Sequence, residues 1–233
     1  MGPKHMKTFY LIRHAQSHAN AGGAPLPDCE LPLSDIGRRQ AAELVARLPE
    51  SKHSELRPHE NSAPPHGKPS SRSVFVSQMR RTRETAAPYC RHYGIEPAGL
   101  PCLNEFSYLP FDLIAKLSPS ERRPIAQAYW QRGDVNERVG QGADSFADFD
   151  ARLEAFLQQW HQLPDGSLLF GHGIWIALLA WKLLGFQVAS PADMAAFRAF
   201  QTALPMPNTA VWTLSGSCRE DLRLVFQSGP AAE

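Results

Sequence analysis

Three small polar clusters in this chain have residue types that could act together in nucleophilic chemistry. Arg13-His14 is followed by Ser17 and Asn20, Ser77 precedes Arg81 by four positions, and His172 stands between Gly171 and Gly173. Each cluster closes or follows a short β-prone stretch: Thr8 to Ile12, Ser73 to Ser77 and Ser167 to Phe170. Stretches of that length and composition read as buried strands. A guanidinium carries a fixed fork of donors matched to phosphate oxygens and stays charged at any working pH. Positive charge nearby also holds a histidine below its ordinary pKa of about 6.5, leaving a ring nitrogen free to attack. Two arginines and neutral imidazoles therefore suit a bound dianion, with His14 as nucleophile.

The intervening segments supply the elements that would gather these clusters. Ser34 is a good N-cap, and Ile36, Ala41, Leu44, Val45 and Leu48 share one face before Pro49. Met79 to Tyr93 has helical spacing and stops at Gly94. A third strand is expected over Ala98 to Leu103, then an irregular excursion from Asn104 to Gln141 with one helix over Pro119 to Gln131. Asp144-Ser145 opens an amphipathic helix whose Phe146, Phe149, Leu153, Phe156, Leu157 and Trp160 form a single core stripe. An apolar helix over Ile174 to Leu184 follows Gly171-His172-Gly173, and β-like segments at Thr209 to Leu214 and Leu222 to Phe226 close the chain. Alternation of strand and helix predicts a three-layer α/β/α sandwich with a mostly parallel sheet. Such folds bind ligands outside the carboxyl ends of their strands, where all three clusters would lie.

Composition narrows the setting. The 233 residues are 43% hydrophobic, enough for one domain with a real core, and the formal charge of +1 supplies no global field for nucleic acid or an anionic membrane. Four widely spaced cysteines, Cys29, Cys90, Cys102 and Cys218, suggest neither a zinc ribbon nor a disulfide framework. No run reaches the roughly 20 apolar residues of a membrane span, and no secretory leader is evident, so a cytoplasmic location is expected. Met1 to His5 reads as an expression remnant, residues 6–228 as one domain, and 229–233 as a tail. Residues 51–72, rich in proline and histidine and poor in apolar residues, read as a flexible insertion, with His53, His59 and His66 as solvated surface.

The clusters have a recognisable form. Leu11-Ile12-Arg13-His14-Ala15-Gln16-Ser17-His18-Ala19-Asn20 resembles the signature of the histidine phosphatase superfamily, also called phosphoglycerate-mutase-like. Leu31 to Ala41 is similar to that family's first helix start, and Ser77 to Ala86 to its second arginine motif, with Arg81 as the aligned arginine. Leu103-Asn104-Glu105, Gly142-Ala143-Asp144-Ser145, Gly171-His172-Gly173 and Pro207-Asn208-Thr209 follow in the family's order. The chain departs from the pattern with Ala15 in place of a glycine, Gln78 in place of a common proline, and Phe106 to Pro110 after the acid.

The resemblance implies a phosphomonoester hydrolase working through a phosphohistidine on His14. It implies a phosphate pocket of Arg13, Arg81 and His172 with support from Asn20, and Glu105 as proton donor, Asp112 and Glu121 being the nearby substitutes. No metal and no cofactor is expected, and the partner is a small phosphorylated substrate, with a homodimer left open. A phosphoglycerate-type mutase is the alternative. Mutases of this kind carry a Phe-Thr/Ser-Gly-Trp stretch and an arginine and tyrosine after the acid, where this chain has Gly22-Gly23-Ala24-Pro25 and Phe106-Ser107. An inactive phosphate-binding or scaffold module would require loss of Arg13, His14, Arg81 or His172, and all four are present. For Phe106, Tyr108, Phe111 and Trp130 both a pocket wall and a small core are open readings.

Overall fold

A computed structural model describes residues 5–50 and 72–229. Six strands, β1 (Lys7–Arg13), β2 (Val74–Val76), β3 (Ala98–Gly99), β4 (Leu168–Gly171), β5 (Val211–Gly216) and β6 (Arg223–Ser228), form one sheet in the order β3-β2-β4-β1-β5-β6. The pairings β2 with β3, β2 with β4 and β1 with β4 are parallel, whereas β5 pairs antiparallel with both β1 and β6. The helices are α1 (Asp35–Leu44), α2 (Arg80–Tyr93), the single turn α3 (Phe111–Ile114), α4 (Pro119–Arg132), α5 (Phe146–Gln159), α6 (Gly173–Leu183) and α7 (Pro191–Ala203). The fold is therefore an α/β sandwich with a mostly parallel sheet, as the alternating pattern predicts.

Side chains alternate across a strand, so each strand divides its apolar residues between two faces. Phe9 and Leu11 of β1, Leu169 of β4 and Leu214 of β5 pack with Phe149, Leu153 and Phe156 of α5 and with Trp175 and Leu178 of α6. On the opposite face Ile12, Val74, Val76, Leu168 and Phe170 pack with Leu44 and with Ala86 and Tyr89 of α2. The central strands thus read as nearly continuous apolar runs because both of their faces are covered. Trp175, Ile176, Ala177, Leu178 and Leu179 are all buried, as expected for a helix that is apolar on every side.

Local signals set most element ends. Ser34 accepts from the Gly37 amide at 3.0 Å, and Ser145 with Asp148 forms a reciprocal capping box. Gly94 ends α2 in the left-handed region at φ 61°, a conformation that costs a residue without Cβ little.

Several expectations are corrected. Ile36 lies outside the apolar face and is 43% exposed, and α1 ends at Leu44 before a tight turn at Val45–Arg47. The third strand stops at Gly99 because Pro101, which has no amide hydrogen for the ladder, opens a tight helical turn over Pro101–Leu103. Helix α7 was not anticipated, although Ser190 caps it and Pro191 occupies its first position. The excursion from Asn104 to Gln141 adds to the core. Phe106, Tyr129 and Trp130 join Phe146, Phe149 and Phe197 in one aromatic core. Residues 1–4, 230–233 and the expected insertion apart from Arg72 lie outside the described residues, as do His53, His59 and His66. Among the described residues no helix is long and apolar enough to cross a membrane.

Candidate active site

The sheet register does the first work of assembly. Arg13 pairs with Gly171 at the ends of β1 and β4, and Val76 pairs with Phe170. The next residues, His14, His172 and Ser77, therefore emerge side by side from three adjacent parallel strands. The His14 amide still bonds to the Gly171 carbonyl at 3.0 Å, and the Ser77 amide to Phe170 at 3.2 Å, so the ladder extends into the site. The imidazoles of His14 and His172 lie with centroids 5.2 Å apart, inclined at 61°.

His14 is buried, and its Nδ1 lies 2.7 Å from the Ala15 carbonyl oxygen. A carbonyl can only accept, so Nδ1 must carry the proton and Nε2 keeps its lone pair. Burial lowers the His14 pKa well below 6.5, Arg81 and Arg13 lower it further, and the Ala15 carbonyl only partly opposes them. Neutral imidazole with Nε2 free is the nucleophilic form. The main chain around it is tied down: Asn208 Nδ2 donates to the His14 carbonyl at 3.0 Å, and the Ala15 amide donates to Thr85 Oγ1 at 3.0 Å. Thr209, buried beside it, holds a φ of 58°, unusual for a β-branched residue. Arg47 grips that strained residue through Thr209 Oγ1 at 3.1 Å and its carbonyl at 2.6 Å.

His172 is fully buried, with Nε2 2.8 Å from Ser77 Oγ, while Nδ1 has no hydrogen-bond partner among the described residues. Burial first, then Arg81, His14 and Arg13, lower its pKa well below the usual histidine range. Ser77 Oγ also lies 2.9 Å from Thr82 Oγ1, so one hydroxyl joins the second histidine to the start of α2. Arg13 donates to the Met206 carbonyl through Nη1, and its buried Nε is likewise without a partner. Arg81, 4% exposed, donates Nη1 to both the carbonyl and the carboxylate of Asp28, each at 2.7 Å. The other carboxylate oxygen of Asp28 accepts from Ser107.

Glu105 reaches the same cavity from the turn after β3. Its carboxylate accepts the amides of Ile174 and Trp175 at 3.0 Å each, at the amino end of α6, and that of Phe106 at 3.1 Å. Burial raises its pKa and Asp28 adds to the rise, while the Ile174 and Phe106 amides and Arg81 pull the other way. Gln78, one of the departures noted above, earns its place here: its amide donates to Asn104 Oδ1 at 2.8 Å and its side chain accepts from Asn104 Nδ2 at 2.8 Å. A proline would lack that amide. The acid-bearing segment is thereby fastened to the loop that leads into α2 and Arg81. Neither substitute acid takes this position. Glu121 closes the capping box of α4 with Ser118, and Asp112 faces a separate hollow.

Asn20 is exposed, its Oδ1 accepting from the Ser17 amide at 3.2 Å, with Asn208 Nδ2 at 3.4 Å. Arg13, His14, Asn20, Arg81, Glu105 and Arg198 all line one cavity of about 740 Å³. His172 stands behind its wall. A second hollow of about 510 Å³ shares Asp28 and Leu31 with it and is lined by Phe106, Tyr108 and Phe111. The aromatic residues are thus divided: Trp130 is core, Phe111 is wall, and Phe106 and Tyr108 are both. Sequence reasoning missed Asp28 and Arg198. Neither sits in a periodic pattern or beside a strand end, so no local signal marked them. Among the described residues no group of three or more His, Cys, Asp or Glu is placed to hold a metal ion.

Two buried imidazoles and two guanidiniums are thus gathered at one end of a mostly parallel α/β sandwich. The chain belongs to the histidine phosphatase superfamily (branch 1), whose sequence profile matches residues 9–59 and 65–208. A Serratia proteamaculans protein named "Probable phosphoglycerate mutase GpmB" is 27% identical over 188 residues, spanning 77% of this chain and 76% of its own length. Among solved structures, a mycobacterial glucosyl-3-phosphoglycerate phosphatase superposes with a TM-score of 0.63 at 21% identity, covering 98% of this chain and all of its own. The alpha-ribazole phosphatase of Shigella flexneri gives 0.64 at 19% identity, over 97% of this chain and 99% of its own. These likenesses establish the fold.

Proposed function

We propose that the protein is a phosphomonoester hydrolase that works without a metal, through a phosphohistidine on His14. The observation that carries this reading is the His14 geometry, with Nδ1 spent on the Ala15 carbonyl and Nε2 free beside His172 and two guanidiniums. In the first step Nε2 attacks phosphorus and the bond from phosphorus to the ester oxygen breaks. Glu105, carrying its proton, transfers it to the departing alkoxide. In the second step the resulting carboxylate takes a proton from water, the hydroxide attacks phosphorus, and the bond to Nε2 breaks to release phosphate. Charge on the equatorial oxygens is met by Arg13, Arg81 and the free nitrogen of His172, and Asn20 supports the phosphate from the rim. Partly buried and pushed upward in pKa by its surroundings, Glu105 is suited to hold a proton until the leaving group needs it.

A mutase reading, in which phosphohistidine returns the phosphoryl group to a hydroxyl of a sugar acid, is favoured by the GpmB relatives alone. Quenching single turnovers in alkali and recording phosphorus NMR tests both. Phosphohistidine in the native protein, none in His14→Ala, and free phosphate as final product are expected. Isomerised ester in place of phosphate would establish the mutase, and unchanged turnover by His14→Ala would overturn the mechanism.

A further inference from the structure

Helix α7 contributes Arg198, Gln201 and Thr202 to the wall of the cavity. Arg198 lies five residues before the end of α7 at Ala203, about 7.5 Å along the helix axis. The segment after that end brings the Met206 carbonyl to Arg13. Arg198 thus lines the same cavity as Arg13 and Arg81 from a separate element, α7.

Its surroundings make it a prepared anion receptor. The guanidinium lies over the Trp130 ring at 4.8 Å, and one nitrogen donates to Gln201 Oε1. Trp130 is itself buried against Phe146 and Phe197, so the platform under the cation is fixed by the aromatic core. Stacking occupies the face of a guanidinium and leaves its edge donors available for a bidentate anion, with little side-chain freedom left to lose. Several other cations are matched: Arg132 with Glu137, Arg138 with Asp148, Arg152 with Asp144, and Lys182 with Asp150 and Glu154. Within the cavity Arg81 has Asp28. No carboxylate lies within ion-pair distance of Arg198 among the described residues, and a structural cation held only by stacking would not need to face the cavity.

We propose that Arg198 forms a second anion subsite, so that favoured substrates are phosphomonoesters whose leaving group carries a further carboxylate or phosphate. The inference rests on reading the cavity as a phosphoester site. It does not depend on turnover, and binding to the His14→Ala protein measures it directly.

Two ligand pairs separate the sources of the second charge. 3-Phosphoglycerate against glycerol 3-phosphate adds a carboxylate, and 1,3-propanediol bisphosphate against 3-hydroxypropyl phosphate adds a phosphate. By calorimetry on His14→Ala, at least one charged member should bind fivefold or more tighter than its partner. Adding Arg198→Met should reduce that ratio below twofold, and Arg198→Lys should recover part of it. Thermal melting checks each variant's fold, with Arg198→Gln as an independent neutral replacement. Ratios under fivefold in both pairs, or a ratio that survives both neutral replacements, overturn the proposal. Turnover of p-nitrophenyl phosphate by the unaltered protein is read separately: its absence would overturn hydrolysis, while the binding ratios would still decide the role of Arg198.

Discussion

The two halves of the cavity are held by different forces. On one side Arg13, His14, Ser77 and His172 leave adjacent parallel strands in register, and sheet hydrogen bonds set their spacing. On the other side Asp28, Glu105 and Arg198 come from a loop, a turn and a helix surface. Those three are placed by side-chain contacts: Asp28 through Ser107 and Arg81, Glu105 through the amides of α6, and Arg198 through Trp130. The half that would receive the phosphoryl group is thus set by backbone register, and the half that would meet the leaving group by side-chain contacts. Chemistry common to many esters needs the first, and choice among esters can be tuned on the second.

The sharpest way to break this division is Glu105→Gln, which should cost about 100 to 10,000-fold in kcat/KM on an alkyl phosphate. p-Nitrophenyl phosphate should lose far less, because its phenolate departs without a proton. Equal losses on both substrates, with bond cleavage rate-limiting, would reduce Glu105 to a cap for α6.

Next in size is Ser77→Ala, on the strand-end side. It leaves the buried Nε2 of His172 without its partner, and an unpaired buried group of this kind costs about 1–3 kcal/mol, or roughly fivefold to 150-fold if it falls on the transition state. The loss should appear in kcat more than in KM, since Ser77 acts by positioning His172. An unchanged kcat would show that packing alone orients the ring.

The smallest effect expected is that of Asp28→Asn, read as a pH shift. Asp28 pushes the Glu105 pKa upward, and Glu105 must be protonated to donate. Removing the negative charge stabilises ionised Glu105, so the alkaline limb of kcat/KM should move to lower pH. A limb that stays in place would confine Asp28 to holding Arg81.

How far these halves could be read in advance follows the same line. The residues of the strand-end half stood out because each follows a short apolar run, and a parallel sheet brings such positions to one edge. Glu105 was legible through its motif, but its bonds to the amides of α6 join residues about seventy apart in the chain. Gln78 looked like a departure until its pairing with Asn104 appeared. Helix α7 carried Ser190 and Pro191 as start signals, yet only Met194 and Phe197 are fully buried along it, which leaves a weak apolar stripe.

By itself, then, the sequence determined the layers, most of the succession of strands and helices, and the candidate nucleophile with its cationic neighbours, because periodicity and local motif act over a few residues. Only the tertiary structure decided that Asp28 lies on Arg81, that Glu105 closes the amino end of α6, and that Arg198 faces the cavity from a tryptophan platform. Those placements depend on how an aromatic core packs the excursion against α5 and α7. Packing of that kind is a property of many distant side chains at once, and no local stretch of sequence encodes it.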